Sequence, residues 1–220
     1  MMYDVFFICY GESNQEENWQ RLLGFHSNAQ KISGIKGINS AHILCNELSS
    51  TNRFWTVDGD NWLLERLELQ EDYSQDLIFF DARDPIDGIV SSIGGVKLWR
   101  KNSFVNKDMS KGDFCKYATS SSLLIKKTMS VHKYDNTPQE AWQHTFRHMV
   151  KSFSGIIGIE CLPMNIKQVE AHKHLNKYSY QGYLDAQHYV KECEGDFEKI
   201  NLINDYEWLT AKCPKEFYQN

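Results

Sequence analysis

Asp58-Gly59-Asp60 closes a run, Phe54-Trp55-Thr56-Val57, whose aromatic and β-branched residues suit a buried strand. In an extended stretch residues two apart point the same way, so the two carboxylates face one side. Gly59 between them lets a ligand approach closely. Paired hard oxygens suit Mg2+ or Mn2+, above all when a diphosphate supplies further ligands. The bland alternative is a turn, because Asp-Gly is a favoured turn pair. Position favours the metal: in a parallel α/β sheet, ligands gather at the carboxyl ends of the strands.

Other polar groups stand where the same site would need them. In Tyr10-Gly11-Glu12-Ser13-Asn14, Tyr10 suits base stacking, and Glu12 or Asn14 suits a base edge or ribose, unless the segment is a plain helix cap. Lys36, in Gly34-Ile35-Lys36-Gly37, precedes a helix and suits a diphosphate. No Walker A or G-x-G-x-x-G pattern is present. His42 reads as a surface or satisfied core histidine. Gly94 and Gly95 permit close approach of another backbone or an acceptor, with Lys97 following and the Asp84-Pro85-Ile86-Asp87 loop just upstream. On Thr137–His148, Glu140, His144 and either Arg147 or His148 share a helix face, which is otherwise a solvated surface.

These residues require an α/β frame. Tyr3–Tyr10, Phe54–Val57, Leu77–Phe80, Ile93–Trp99 and Ser122–Val131 read as strands. Helices are expected from Ser13 or Asn14 to Gly24, from Asn39 or Ser40 through Leu48, from Pro138 to Gly155, and near Tyr183–Cys193. The expected fold is a Rossmann-type mixed sheet flanked by helices, with a helical C-terminal portion. It is read as one domain over 1–220, with a nucleotide-sugar half over 1–82 and an acceptor half with the C-terminal helices over 83–220.

The 41% hydrophobic and 24% charged content is that of an ordinary globular protein, and no apolar run is long enough to span a bilayer. With no basic leader, the expected location is the cytoplasm, without a membrane partner. Six scattered cysteines lack any C-x-x-C pair and read as structural. The net charge of −5 hides a basic segment. Lys97, Arg100, Lys101, Lys107, Lys111, Lys116, Lys126, Lys127 and Lys133 stand against Asp108 and Asp113. That is a solvated surface or a face for phosphates.

Together the motifs resemble the GT-A class of nucleotide-sugar glycosyltransferases. More narrowly, they resemble small glycosyltransferase-like proteins encoded by tailed bacteriophages. The resemblance is carried by FFICYGESNQEENW (6–19), GIKGINSAH (34–42), FWTVDGD (54–60), DPIDGIVSSIGGVKLW (84–99), TPQEAWQHTFRH (137–148) and NDYEWL (204–209). It implies a nucleoside diphosphate sugar donor, with UDP favoured, and Mn2+ or Mg2+ on Asp58 and Asp60. Tyr10, Glu12, Asn14, Lys36 and Asp58 then bind the donor. Gly94, Gly95 and Lys97 meet the acceptor, and Asp87, His148 and Arg147 are the catalytic candidates. Some relatives glycosylate 5-hydroxymethylcytosine in phage DNA, which implies double-stranded DNA as acceptor; a glycan or small molecule is the alternative. The chain departs from the family at His148 and Gly88, where relatives usually carry acids. A nucleotidyltransferase would show a glycine-rich basic loop after its first strand, which Gly11-Glu12-Ser13-Asn14 is not. A non-catalytic binding protein of the same fold is the other competitor.

Overall fold

The computed structural model describes residues 3–69, 73–91, 95–104, 118, 121–155 and 164–218. These divide into two compact units, one reaching Lys133 and one beginning at Tyr134.

The first unit is a mixed sheet. Its strands are β1 (Asp4–Cys9), β2 (Gln30–Ser33), β3 (Arg53–Asp58), β4 (Asn61–Leu63), β5 (Leu77–Arg83), β6 (Val90–Ser91), β7 (Val96–Arg100) and β8 (Ser122–His132). The order is β2-β1-β3-β7-β5-β8-β4, with β6 beside β5. β1 pairs in parallel with β2 and β3, and β5 with β8, while β7 runs antiparallel to both β3 and β5. From β1 the chain passes through α1 (Gln15–Phe25) to β2, then through α2 (Ile38–Leu48) to β3 on the other side of β1. That reversal creates a switch point at the carboxyl ends of β1 and β3, where such sheets bind ligands.

Burial on both faces explains the nearly continuous apolar strands. Val5, Phe7, Trp55, Val57, Ile78 and Phe80 pack with Leu22 of α1 in one core layer. On the opposite face Phe6 meets Phe54 edge-on at 5.7 Å, and Trp99 meets both Phe104 and His42 of α2 at 5.3 Å. Cys9, Cys45, Cys193 and Cys213 are buried free thiols, as expected of structural cysteines. Cys115 and Cys161 lie outside the described residues.

Several expected boundaries move. α1 runs past Gly24 to Phe25, and α2 starts after Gly37 rather than at Asn39 or Ser40. Gly37 sits at φ 90°, a conformation open to glycine but strained for other residues, so the glycine itself sets the entry to the helix. β2 and β4 were not foreseen. Gln30-Lys31-Ile32-Ser33 has one apolar residue and Asn61-Trp62-Leu63 is three residues long.

The second unit is helical: α3 (Pro138–Ser154), α4 (Ile166–Leu175), α5 (Lys177–Cys193), α6 (Phe197–Asn201) and α7 (Tyr206–Lys212). The α3 boundaries follow from its chemistry. Thr137 accepts a hydrogen bond from the Glu140 N–H, Pro138 opens the first turn, and Gly155 caps the end. α3 and α5 bury Trp142, Phe146, Met149, Ala186 and Tyr189 together. No helix among the described residues is long and apolar enough to cross a membrane.

Gly182 of α5 allows this closeness. A Cβ there would lie 2.6 Å from the Trp142 carbonyl oxygen and 3.1 Å from the Phe146 nitrogen. Gly182→Ala gains about 1 kcal/mol of helix propensity, but the contact is with backbone and overpacking costs about 1–3 kcal/mol. The variant should therefore melt a few degrees below wild type; a higher Tm would contradict the packing described.

Candidate active site

The site forms at the carboxyl ends of β1 and β3. Asp58 is the last residue of β3, level with Ile8 of β1, and its N–H donates to the Gly95 carbonyl at 3.0 Å. Lys97 of β7, only 8% exposed, donates from Nζ to Asp58 Oδ2 at 2.9 Å. Asp58 Oδ1 is sealed from solvent and accepts no hydrogen bond. One oxygen of this carboxylate is thus balanced by an ammonium, while the other awaits a partner.

Asp60 is held from two sides. Asn61 Nδ2 donates to its Oδ1 at 2.7 Å, and His132 Nε2, at the end of β8, lies 2.8 Å from its Oδ2. Burial pushes the Asp60 carboxyl up, but the charge and hydrogen bond of His132, with Asn61 and Lys97, outweigh it and the net shift is downward. Burial pushes His132 down, and Asp60, then Asp58 and Asp84, reverse that into a net rise. The two shifts agree on an ion pair.

Glu12 adds a third carboxylate. The Tyr10 N–H donates to its Oε2 at 2.8 Å, and the bare Cα of Gly59 lets it in: a Cβ at Gly59 would lie 2.7 Å from that oxygen. Burial, then Asp60, against backbone hydrogen bonds, with a smaller push from Asp58, raise the Glu12 carboxyl to about 7. Like charges this close favour a proton or a cation among them.

Gly95 has a comparable packing role. A Cβ there would lie 2.3 Å from Asn61 Nδ2 and 2.8 Å from Asp58 Cβ. Asn61 fills that space, accepting from Ser130 Oγ at 2.7 Å and from the Gly95 N–H at 3.3 Å. Gly94 lies outside the described residues.

The structure thus brings together Glu12, Asp58, Asp60, Gly95 and Lys97. Lys97, expected toward an acceptor, has its ammonium on Asp58. Tyr10 is 40% exposed at the end of β1, suitably placed for stacking. Asn14 is buried, with Nδ2 on the Lys133 carbonyl at 2.7 Å and Oδ1 accepting from Asn18 at 3.2 Å, so its amide ties α1 to the end of β8. Lys36 is exposed on the loop between β2 and α2. His42 is buried against Trp99; burial, then Lys97, drive it down to about 4 against the pull of Asp58.

Asp87 sits in the turn after β5, where its Oδ1 accepts from the Ile89 N–H at 2.8 Å. Gly88 beside it has φ 72°, a left-handed backbone that suits glycine. Arg147 and His148 belong to the second unit. There Arg147 donates to the Tyr206 hydroxyl at 3.2 Å and to Asn204 Oδ1 at 3.1 Å, which ties α3 to the NDYEWL stretch. His148 lies parallel to His144 at 6.2 Å, and His144 stacks on Tyr134 at 3.7 Å.

Sequence reasoning missed Asn61 and His132. Asn61 follows the aspartates directly and was legible as a third polar residue of the turn. His132 was not, because its meeting with Asp60 depends on the β4–β8 register that pairs Asn61 with His132.

No family model matches the chain, and no curated protein matches it. Among solved structures, a mannosyltransferase from Pyrobaculum calidifontis, in complex with GDP-Man and Mn2+, is similar over 96% of this chain and 85% of its own. The identity is 10% and the TM-score 0.42, too loose a likeness to transfer a site or a substrate.

Glu12 gives the site a pH signature. Its carboxyl rises from 4.5 unfolded to about 7 folded, so between those values the folded state holds more protons than the unfolded one. Stability then falls as pH rises through that window, by up to about 3 kcal/mol. His132, raised when folded, also loses its contribution as pH rises, so the comparison with Glu12→Gln isolates Glu12. In chelator-treated buffer the variant should melt above wild type at pH 8, with the gap closing toward pH 5. A gap independent of pH would refute the assignment.

Proposed function

We propose that the chain is a metal-dependent glycosyltransferase, moving a sugar from a nucleoside diphosphate sugar to a hydroxyl. One observation carries the reading: the carboxylates of Glu12, Asp58 and Asp60 converge at the switch point of the sheet, and Asp58 Oδ1 is buried without a partner. The hard oxygens of Asp58 and Asp60 fit Mn2+ or Mg2+, with the Glu12 carboxylate beside them. Asp58 would hold the ion through its free oxygen, and Asp60, engaged by Asn61 and His132, would act beside it. When bound, such an ion supplies positive charge against the developing charge of a leaving diphosphate.

The chain's own residues do the rest. Lys97 and His132 hold the two aspartates in place, so little reorganisation is needed on binding. Tyr10 offers a face for the base, Glu12 a hydrogen-bond acceptor for the nucleoside, and Lys36 a charge for the diphosphate. In an inverting reaction Asp87 or His148 would remove the acceptor proton, with Arg147 supporting that helix face. We assign the donor side to 1–82 and the acceptor side to 83–220. The motifs named at the outset and exposed basic residues such as Lys126 and Lys127 favour DNA carrying 5-hydroxymethylcytosine as acceptor; Lys97 is taken up by Asp58, and Lys107, Lys111 and Lys116 lie outside the described residues.

Incubation with Mn2+ and a panel of nucleoside diphosphate sugars tests the chemistry. Wild type should hydrolyse at least one donor, and the double variant Asp58→Asn, Asp60→Asn should lose that activity while keeping a cooperative melt. An active double variant would refute the metal clamp. For the acceptor, binding to hydroxymethylated duplex should weaken steeply between 50 and about 200 mM salt. Salt-insensitive or absent binding would point to a glycan or small molecule.

A further inference from the structure

Asp81 is a buried acid that the proposed chemistry does not use. It lies in β5 at 7% exposure, and no hydrogen bond or ion pair to its side chain is found among the described residues, yet its oxygens are not among those sealed from solvent. A carboxylate that keeps an open side on an otherwise buried residue is accessible to a ligand.

The strand register gives its position. Phe79 of β5 is level with Lys97 of β7, and continuing that antiparallel pairing by two residues sets Asp81 level with Gly95. Gly95 is in turn bonded to Asp58 on the far side of β7. Side chains two apart on a strand share a face, and so do level neighbours. Asp81 therefore stands on the face that carries Lys97 and Asp58, two strand spacings or about 10 Å from Asp58. Asn61, occupying the missing Cβ position of Gly95, lies between them.

The irregularity in this part of the sheet belongs to β8. Its pairing jumps on both sides of Asp81, from Ile125 opposite Phe80 to Thr128 opposite Asp81 and then to Ser130 opposite Ala82, so Lys126, Lys127 and Met129 are the extra residues of β8. The row Asp58, Asn61, Asp81 is thus a line of planar polar side chains set into a sheet of aromatic residues. Such groups match the hydroxyls of a carbohydrate, each of which donates one hydrogen bond and needs an acceptor.

We propose that Asp81 receives a hydroxyl of the donor sugar, while Asp58 faces the diphosphate end. This rests on the glycosyltransferase reading and adds a sugar-recognising residue to it. No bond is made or broken at Asp81; it accepts a hydrogen bond from the ligand.

The test uses the full chain and two variants, Asp81→Asn and Asp81→Leu. Without ligand both should melt no lower than wild type, because the carboxylate has no partner to lose. With Mn2+, affinity for the hydrolysed sugar nucleotide should fall about tenfold to a hundredfold, and affinity for the corresponding nucleoside diphosphate should not change. A lower Tm in both variants would make Asp81 structural and overturn the proposal. Equal loss for nucleotide and sugar nucleotide would place it at the diphosphate and overturn it too. If wild type binds sugar nucleotides and the variants bind them equally well, only the Asp81 assignment falls. If wild type binds none, the glycosyltransferase reading falls with it.

Discussion

Two carboxylates one residue apart repel each other, and the first unit is organised around holding them together at the carboxyl ends of its strands. Each has its own counter-charge, and neither counter-charge is local. Lys97 reaches Asp58 because β7 lies antiparallel beside β3, and His132 reaches Asp60 because β8 pairs with β4. Without those two pairings the turn would be a flexible acidic loop. With them it is a fixed array whose remaining demand for positive charge is concentrated on Asp58 Oδ1 and Glu12.

The same arrangement explains why the cations are not interchangeable. Lys97 is almost wholly buried in the sheet, so its ammonium is largely desolvated and Asp58 compensates for that. His132 is an imidazole whose charged form is favoured by Asp60. The structure thus combines one constant charge and one that responds to its surroundings.

What the sequence disclosed depended on whether the determining contacts were local. α3 was legible end to end because Thr137, Pro138 and Gly155 specify its boundaries within a single stretch. The strands β1 and β3 were legible from continuous aromatic and apolar runs. β2 was not, since Gln30, Lys31 and Ser33 carry no apolar signal and pairing with Phe6 to Cys9 alone makes them a strand. α4 escaped notice for a related reason: Ile166 and Leu175 are exposed at its ends, so its apolar residues do not mark a buried stripe. Within the site, Asp58, Asp60 and Glu12 could be singled out by type and spacing. The links from Lys97 and His132 could not, because they depend on strand register across 39 and 72 positions.

The close fit of Asn61 over Gly95 bears on how such a site can be transplanted. The turn looks portable: five or six residues that could be moved onto any strand end. Yet half of what shapes it is an absence on another strand, a missing methyl at Gly95 that leaves room for the Asn61 amide. A protein engineer grafting the turn without its facing glycine would import the charges and lose their geometry. By the same token, a search keyed to the aspartates alone will retrieve many turns that never form this site, whereas one requiring the distant glycine will not.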